Sequence, residues 1–190
     1  MTEYGGLAYV FWHWRRGTVD AAVYEARQRD FHAALAATPP AGFLRSTSAA
    51  ITGAPWANNG GDAYEDRYFI SGSSALDELD RAVGSGMRRT AHDGAAAVAA
   101  GGIAGLYHVR LGAPITVPAT SWWFSKPAGM SYEQLFAELT PVVEHPGRSL
   151  WMRKLVLGPT PEFCLESSGE ADLPPWARTL TLRLRPIVNG

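Results

Sequence analysis

The sequence has little cysteine, no excess of either charge and no long hydrophobic run. Its one cysteine, Cys164, excludes an intrachain disulfide and a zinc site built from cysteines. The 17 lysines and arginines nearly balance the 18 aspartates and glutamates, so nothing favours nucleic acid or an anionic membrane as a partner. No apolar stretch approaches the roughly 20 residues that span a bilayer, and the first residues do not resemble a signal peptide. We therefore expect a cytoplasmic protein without nucleic-acid or membrane partners.

Familiar catalytic and cofactor motifs are also missing. The chain contains neither G-x-G-x-x-G nor G-x-x-x-x-G-K-[ST], and neither G-x-S-x-G nor the zinc motif H-E-x-x-H. The five histidines are spread out, and no two of them lie two to five residues apart. We therefore expect no cofactor and no metal. Haem stays open as an alternative, because a single histidine suffices as its axial ligand.

Aromatic residues, by contrast, are abundant and clustered. The chain has seven tryptophans, two of which flank a histidine in the stretch AYVFWHWRRG at residues 8–17. This stretch is typical of a buried strand. Because side chains alternate along a strand, Tyr9, Phe11 and His13 are expected on one face, with Trp12 on the other.

The order of the predicted elements indicates two related halves. Residues 1–112 give strand, helix, strand, strand, helix, strand, which is the ferredoxin-like unit. Residues 119–190 repeat this order only in part, because residues 168–177 contain two consecutive prolines and leave no room for a full helix. The predicted class is α+β, with two tandem ferredoxin-like repeats, antiparallel sheets and helices outside. The second repeat is predicted to lack its second helix.

Glycines set two of the predicted boundaries. The second helix of the first half is expected to break at Gly84–Gly86, to resume at Met87 and to end at Ala100. Gly101 and Gly102 would stop it. In the second half, a strand is predicted from Leu150 to Leu157.

The residues 122–136, WWFSKPAGMSYEQLF, resemble EthD-like members of the dimeric α+β barrel superfamily. Those members carry a similar strand, a Lys-Pro-Gly-type turn and a helix capped by Ser or Thr. The resemblance implies two curved antiparallel sheets that close into a barrel, and a cavity for a hydrophobic small molecule between sheet and helices. The superfamily includes cofactor-free oxygenases, isomerases, cyclases, haem enzymes and proteins of unknown role, so the fold does not fix the function.

Three residues are candidate catalytic groups: His13, Tyr68 and His92. His13 shares its face with Tyr9 and Phe11, and the pKa of a histidine suits a general base. Tyr68 is expected on the strand beside His13. His92 follows the glycine break, in a segment that would cover the cavity as a lid. A core position with a hydrogen-bonded ring is an equal alternative for His13.

The candidate substrate-binding residues are Tyr9, Phe11, Trp123, Trp151 and Arg153. The aromatic side chains would stack on a ring substrate. An arginine beside a tryptophan can bind a carboxylate or a phenolate.

These observations favour a small-molecule-binding protein or a cofactor-independent enzyme that acts on a hydrophobic, aromatic metabolite. Such an enzyme would be an oxygenase, an isomerase or a cyclase. Two alternatives stay open: a haem protein, and a non-catalytic structural or interaction protein whose aromatic residues fill a core and an interface. A homodimer is compatible with each of them.

Overall fold

The chain folds into eight antiparallel strands and four helices in a computed structural model, which describes residues 6–84, 86–116, 118–154, 158 and 160–190. A short 3₁₀ turn lies at Asn58–Gly60. The elements in chain order are β1 (Leu7–Arg15), α1 (Ala21–Ala37), β2 (Phe43–Thr52), β3 (Ala63–Ile70), α2 (Ala75–Val83), α3 (Gly86–Val98), β4 (Ala99–Gly112), β5 (Thr120–Phe124), α4 (Tyr132–Val143), β6 (Arg148–Arg153), β7 (Phe163–Ser167) and β8 (Leu180–Asn189).

The strands form one closed barrel in the order β1-β3-β2-β8-β5-β7-β6-β4. The first half contributes the order β4-β1-β3-β2, and the second half contributes the equivalent order β8-β5-β7-β6. The halves join where β2 pairs with β8 and where β4 pairs with β6. The predicted fold class is therefore confirmed, and residues 168–179, all of which the structure describes, contain no second helix for the second repeat. The division of the chain at residues 112 and 119 stays a prediction.

A barrel made in this way has an inner and an outer packing layer. The inner core contains large aromatic side chains, and Trp12 packs edge-on against Trp123 with ring centroids 5.4 Å apart. Outside the barrel, α4 covers one half, where Leu135 and Leu139 are fully buried. The helices α1, α2 and α3 cover the other half and leave a cavity against the sheet.

The predicted boundary at Ala100 is wrong, because β4 begins at Ala99 and runs straight through Gly101 and Gly102. Packing explains why these glycines belong to a strand. A Cβ atom on Gly102 would lie 2.4 Å from the ring of Phe11, and one on Gly101 would lie 2.7 Å from the ring of Trp14. Glycine therefore lets the aromatic side chains of β1 lie flat on the neighbouring strand.

The substitution Gly102→Ala tests this packing. We expect it to lower the free energy of unfolding by about 1–3 kcal/mol, because the Phe11 ring has to move. The matched control is Gly94→Ala in α3, where the added Cβ would meet its nearest neighbour at an ordinary 3.7 Å. Chemical denaturation should show the control to be at least as stable as the parent protein, since alanine favours a helix. Equal stability of Gly102→Ala and the parent would contradict the argument.

Two further predicted boundaries are the break after α2 and the end of β6. The break between α2 and α3 is confirmed, since α2 ends at Val83 and α3 begins at Gly86. The end predicted at Leu157 lies outside the described residues, and β6 ends at Arg153. Over the ranges that the structure describes, none of the helices has the length and apolarity needed to cross a membrane.

Candidate functional site

A cavity of about 440 Å³ lies between the outer face of the sheet and the helices of the first repeat. Its walls are mostly apolar, and the exceptions are two tyrosines in the sheet wall, Tyr9 and Tyr68, and two residues of the helices, Asp80 and His92. The lining residues are Tyr9, Phe11, Phe31, Leu35, Tyr68, Leu76, Leu79, Asp80, Val83 and His92. A mostly apolar cavity with a few polar groups is typical of a small-molecule site.

Behind this cavity lies Asp66, a buried carboxylate on β3. Tyr68 donates its hydroxyl proton to Oδ2 of Asp66 over 2.9 Å. The Nε2 atoms of His13 and His32 each lie 3.2 Å from the same oxygen. Both imidazoles stabilise the negative charge of this carboxylate. One carboxylate oxygen thus gathers a phenol and two imidazoles.

Each of the two histidines is also held at its second ring nitrogen. Nδ1 of His13 lies 2.5 Å from the hydroxyl of Tyr24, and Nδ1 of His32 lies 2.6 Å from the hydroxyl of Ser46. Each ring is thus held between a hydroxyl at Nδ1 and the carboxylate of Asp66 at Nε2. Both rings are at least 98% buried. Neither histidine therefore has a nitrogen free to bind a metal or a haem iron.

Charge and burial act in opposite directions on the pKa of Asp66. Burial alone would raise this pKa, but His13 and His32 outweigh it, and the pKa lies well below its usual value. The pKa of Tyr68 is raised well above its usual value, first by burial and then by the charge of Asp66. Tyr68 is therefore a neutral phenol at physiological pH, with its proton directed at a carboxylate.

The structure brings some of the predicted site residues together. Tyr9, Phe11, Tyr68 and His92 all line the cavity. His13 lies behind the cavity wall, where its ring stacks on Phe11 with centroids 5.1 Å apart. His13 therefore contacts the cavity only through its neighbours, as the core alternative predicted.

The other three predicted residues do not line this cavity. Trp123 and Trp151 lie in the core of the barrel, on the opposite side of the sheet, and both are fully buried. Arg153 donates to the backbone carbonyl of Thr160. The structure therefore does not bring Trp123, Trp151 and Arg153 together with Tyr9 in this cavity. The cause is the strand alternation itself, because Trp123 of β5 and Trp151 of β6 lie at positions that face inwards.

Asp66 and His32 were not among the predicted site residues, although the sequence contains a signal for Asp66. In the run Tyr64-Glu-Asp-Arg-Tyr68, alternation places Asp66 on the same face as Tyr68, between two aromatic residues. A carboxylate on the covered face of a strand needs partners, and this need indicates a polar cluster. The sequence contains no such signal for His32, because its contact with Asp66 depends on how α1 packs on the sheet.

A second charged cluster lies inside the barrel. The guanidinium of Arg67 is fully buried and pairs with Glu65 and with Glu166, each at 2.8 Å. The indole N–H groups of Trp12 and Trp151 donate to these two carboxylates at 2.8 and 2.7 Å. Burial raises the pKa of Glu166 even though Arg67 opposes the shift. Within the described part of the chain, no group of three or more His, Cys, Asp or Glu side chains has an arrangement that would hold a metal ion.

Two ferredoxin-like repeats that close one eight-stranded barrel define the dimeric α+β barrel superfamily, and this chain has that fold. A protein proposed to be a monooxygenase, from Fusobacterium nucleatum subsp. nucleatum, shares it with a TM-score of 0.63 and 10% identity, over 95% of this chain and 92% of that chain. Another protein proposed to be a monooxygenase, from Lactobacillus acidophilus, has a TM-score of 0.55 and 11% identity, over 96% of this chain and 95% of that chain.

A third structure, of a protein proposed to be a chlorite dismutase, has a TM-score of 0.50 and 11% identity and covers 95% of each chain. Identities this low establish the fold alone. No family model and no curated protein sequence matches the chain. The comparisons therefore confirm the predicted fold.

Proposed function

We propose that the protein binds a hydrophobic, aromatic small molecule in the cavity between the sheet and α1, α2 and α3. The observation that carries the proposal is the cavity itself. Its 440 Å³ falls within the range of ligand pockets, and apolar side chains from α1, α2 and β1 form most of its wall. The solved relatives proposed to be monooxygenases are compatible with a small-molecule ligand.

The three predicted catalytic residues take different roles in this proposal. Tyr68 would touch the ligand directly. His92 would face it from α3, where its side chain is 42% exposed. His13 does not line the cavity, so it would act as a positioning residue that holds Asp66 and thereby Tyr68. If the protein also catalyses a reaction of the bound molecule, we propose that it does so without a cofactor.

The alternatives gain less support from the side chains. For a haem in this cavity, an axial histidine would have to be His92, which lines the cavity, because both ring nitrogens of His13 and His32 face other side chains. A purely structural role would leave a cavity of this size without an occupant. The EthD-like resemblance, the cytoplasmic location and the homodimer stay predictions.

Naphthalene provides a direct test, since it is an aromatic hydrocarbon without polar groups. We expect it to bind the parent protein with a negative heat-capacity change, the sign of buried apolar surface, in isothermal titration calorimetry. Leu79→Trp, which fills the cavity from α2, should weaken this binding about ten-fold or more, because the space is taken.

The matched control is Val23→Trp. Val23 lies on α1 and is 48% exposed, so the added ring should leave naphthalene binding unchanged. The proposed function is wrong if the parent protein does not bind naphthalene, or if both variants bind it as tightly as the parent.

A further inference from the structure

The hydroxyl of Tyr68 has a fixed direction, and this direction limits what the cavity can hold. A phenol has one proton to donate and two lone pairs that accept. Tyr68 already gives its proton to Asp66 over 2.9 Å. The oxygen of Tyr68 therefore offers only lone pairs to a ligand.

The partners of Asp66 prevent Tyr68 from turning this hydroxyl around. Asp66 is 99% buried, and besides Tyr68 its Oδ2 atom faces the rings of His13 and His32. If Tyr68 withdrew its proton, this buried carboxylate would lose the hydrogen bond that it accepts from the phenol. An unmade hydrogen bond to a buried charge is costly. The ring of Tyr68 is also stacked on that of His32, with an interplanar angle of 6°, which restricts its position.

Donation to a carboxylate also makes the phenol oxygen a better acceptor. Hydrogen bonds in a chain polarise one another, so the oxygen that gives its proton to Asp66 gains electron density. A ligand that donates to Tyr68 would complete a chain that runs from the ligand through Tyr68 to Asp66. A ligand that can only accept would bring its lone pairs against those of Tyr68.

We propose that the cavity selects a neutral aromatic molecule that carries an O–H or N–H group, and that this group donates to the hydroxyl oxygen of Tyr68. Asp66 fixes this preference, and His13 and His32 hold Asp66 in place. The inference rests on the proposed function, since it names the class of ligand for the same cavity.

Anionic ligands are excluded by the same arrangement. The carboxylate of Asp66 lies directly behind Tyr68, and the carboxylate of Asp80 contributes to the cavity wall. A ligand carboxylate would face negative charge in a largely apolar site. The phenol of Tyr68 already experiences this environment, and its raised pKa shows that the site disfavours the loss of a proton.

Three compounds with the same ring system test the preference: 2-naphthol, 2-methoxynaphthalene and 2-naphthoate. They are titrated into the parent protein at pH 8, where an ordinary histidine is neutral and an ordinary phenol keeps its proton. We expect 2-naphthol to bind about three- to ten-fold more tightly than 2-methoxynaphthalene, by the net contribution of one hydrogen bond. 2-Naphthoate should bind at least about ten-fold more weakly than 2-naphthol.

Two variants then identify the acceptor. Tyr68→Phe should bring the affinities of 2-naphthol and 2-methoxynaphthalene within about two-fold of each other, because the acceptor is gone. Tyr9→Phe is the matched control, since Tyr9 is the other phenol of the cavity wall, and it should keep the preference of the parent protein.

Three results would overturn the inference: equal binding of 2-naphthol and 2-methoxynaphthalene to the parent protein, binding of 2-naphthoate as tight as that of 2-naphthol, or a preference that depends on Tyr9 instead of Tyr68. The titrations of the parent protein decide the matter even if Tyr68→Phe fails to fold. Naphthalene separates the two proposals. If it binds while the hydroxyl gives no advantage, the cavity is a ligand site without the preference inferred here.

Discussion

Replacing Arg67 by alanine is expected to lower the free energy of unfolding by about 3–5 kcal/mol, the range for removing one partner of a buried ion pair. Arg67 is the cation between Glu65 and Glu166 inside the barrel, and its side chain is only 4% exposed. Without it, two carboxylates would face each other in a closed, aromatic core. Urea denaturation at pH 7 measures the loss. The exposed Arg178, replaced by alanine, should change stability by less than about 0.5 kcal/mol.

The pH dependence of Arg67→Ala follows from the two carboxylates. The folded-state pKa of Glu166 is already raised by burial, and the loss of Arg67 would raise it further. A carboxyl whose pKa is raised on folding stabilises the protein at low pH, and this contribution disappears as the pH rises through the folded pKa. The difference in stability between the variant and the parent protein should therefore shrink from pH 7 to pH 5.

A triple variant separates the lost ion pair from the lost volume. In Glu65→Gln, Arg67→Met, Glu166→Gln, the amide oxygens can still accept from Trp12 and Trp151, and no charge remains. We expect this variant to recover most of the stability, because a buried ion cluster can be replaced by neutral side chains of similar volume at little cost. If it is as unstable as Arg67→Ala, the charge argument is wrong.

The second large effect is expected at Asp66. Asp66→Asn should lower the free energy of unfolding by about 3 kcal/mol at pH 7, because His13, His32 and Tyr68 lose the buried charge that they share. Asp172→Asn is the control, because Asp172 is an exposed aspartate in the segment before β8 and should behave like the parent protein.

Acid should remove the difference between Asp66→Asn and the parent protein. The pKa of Asp66 in the folded chain lies well below 3.8, the ordinary aspartate value. A carboxyl whose pKa is lowered on folding contributes stability above the unfolded pKa and loses it as the pH falls through the folded pKa. Urea denaturation at a series of pH values should show the two stabilities converging below about pH 4. A constant difference down to pH 2 would contradict this account.

The sequence predicted the fold well, because the fold depends on patterns that act locally. The alternation in residues 8–15 and the helical spacing after Val19 each follow from one element. The two prolines before β8 excluded a helix for a reason that no tertiary contact can change. The exception is the start of β4, where Phe11 and Trp14, from a strand about 90 residues earlier, decide the structure of Gly101 and Gly102.

Only some of the residues of the candidate site could be predicted. The site depends on whether a given face of each strand points into the barrel or towards the outer helices. Tyr9 and Phe11 were assigned correctly to one face, but Trp151 was added on residue type alone, and its strand turns it inwards. The cluster around Asp66 draws on β1, α1, β2 and β3. Such convergence depends on the three-dimensional path of the chain and leaves no spacing in the sequence.

The two repeats pair with each other where β2 lies beside β8 and where β4 lies beside β6, and both pairings form within one chain. Both repeats belong to one chain, so the second half of the barrel is always present at the high local concentration that a covalent link provides. Barrel closure is therefore an intramolecular step, independent of mass action between molecules. Dilution alone cannot open this barrel.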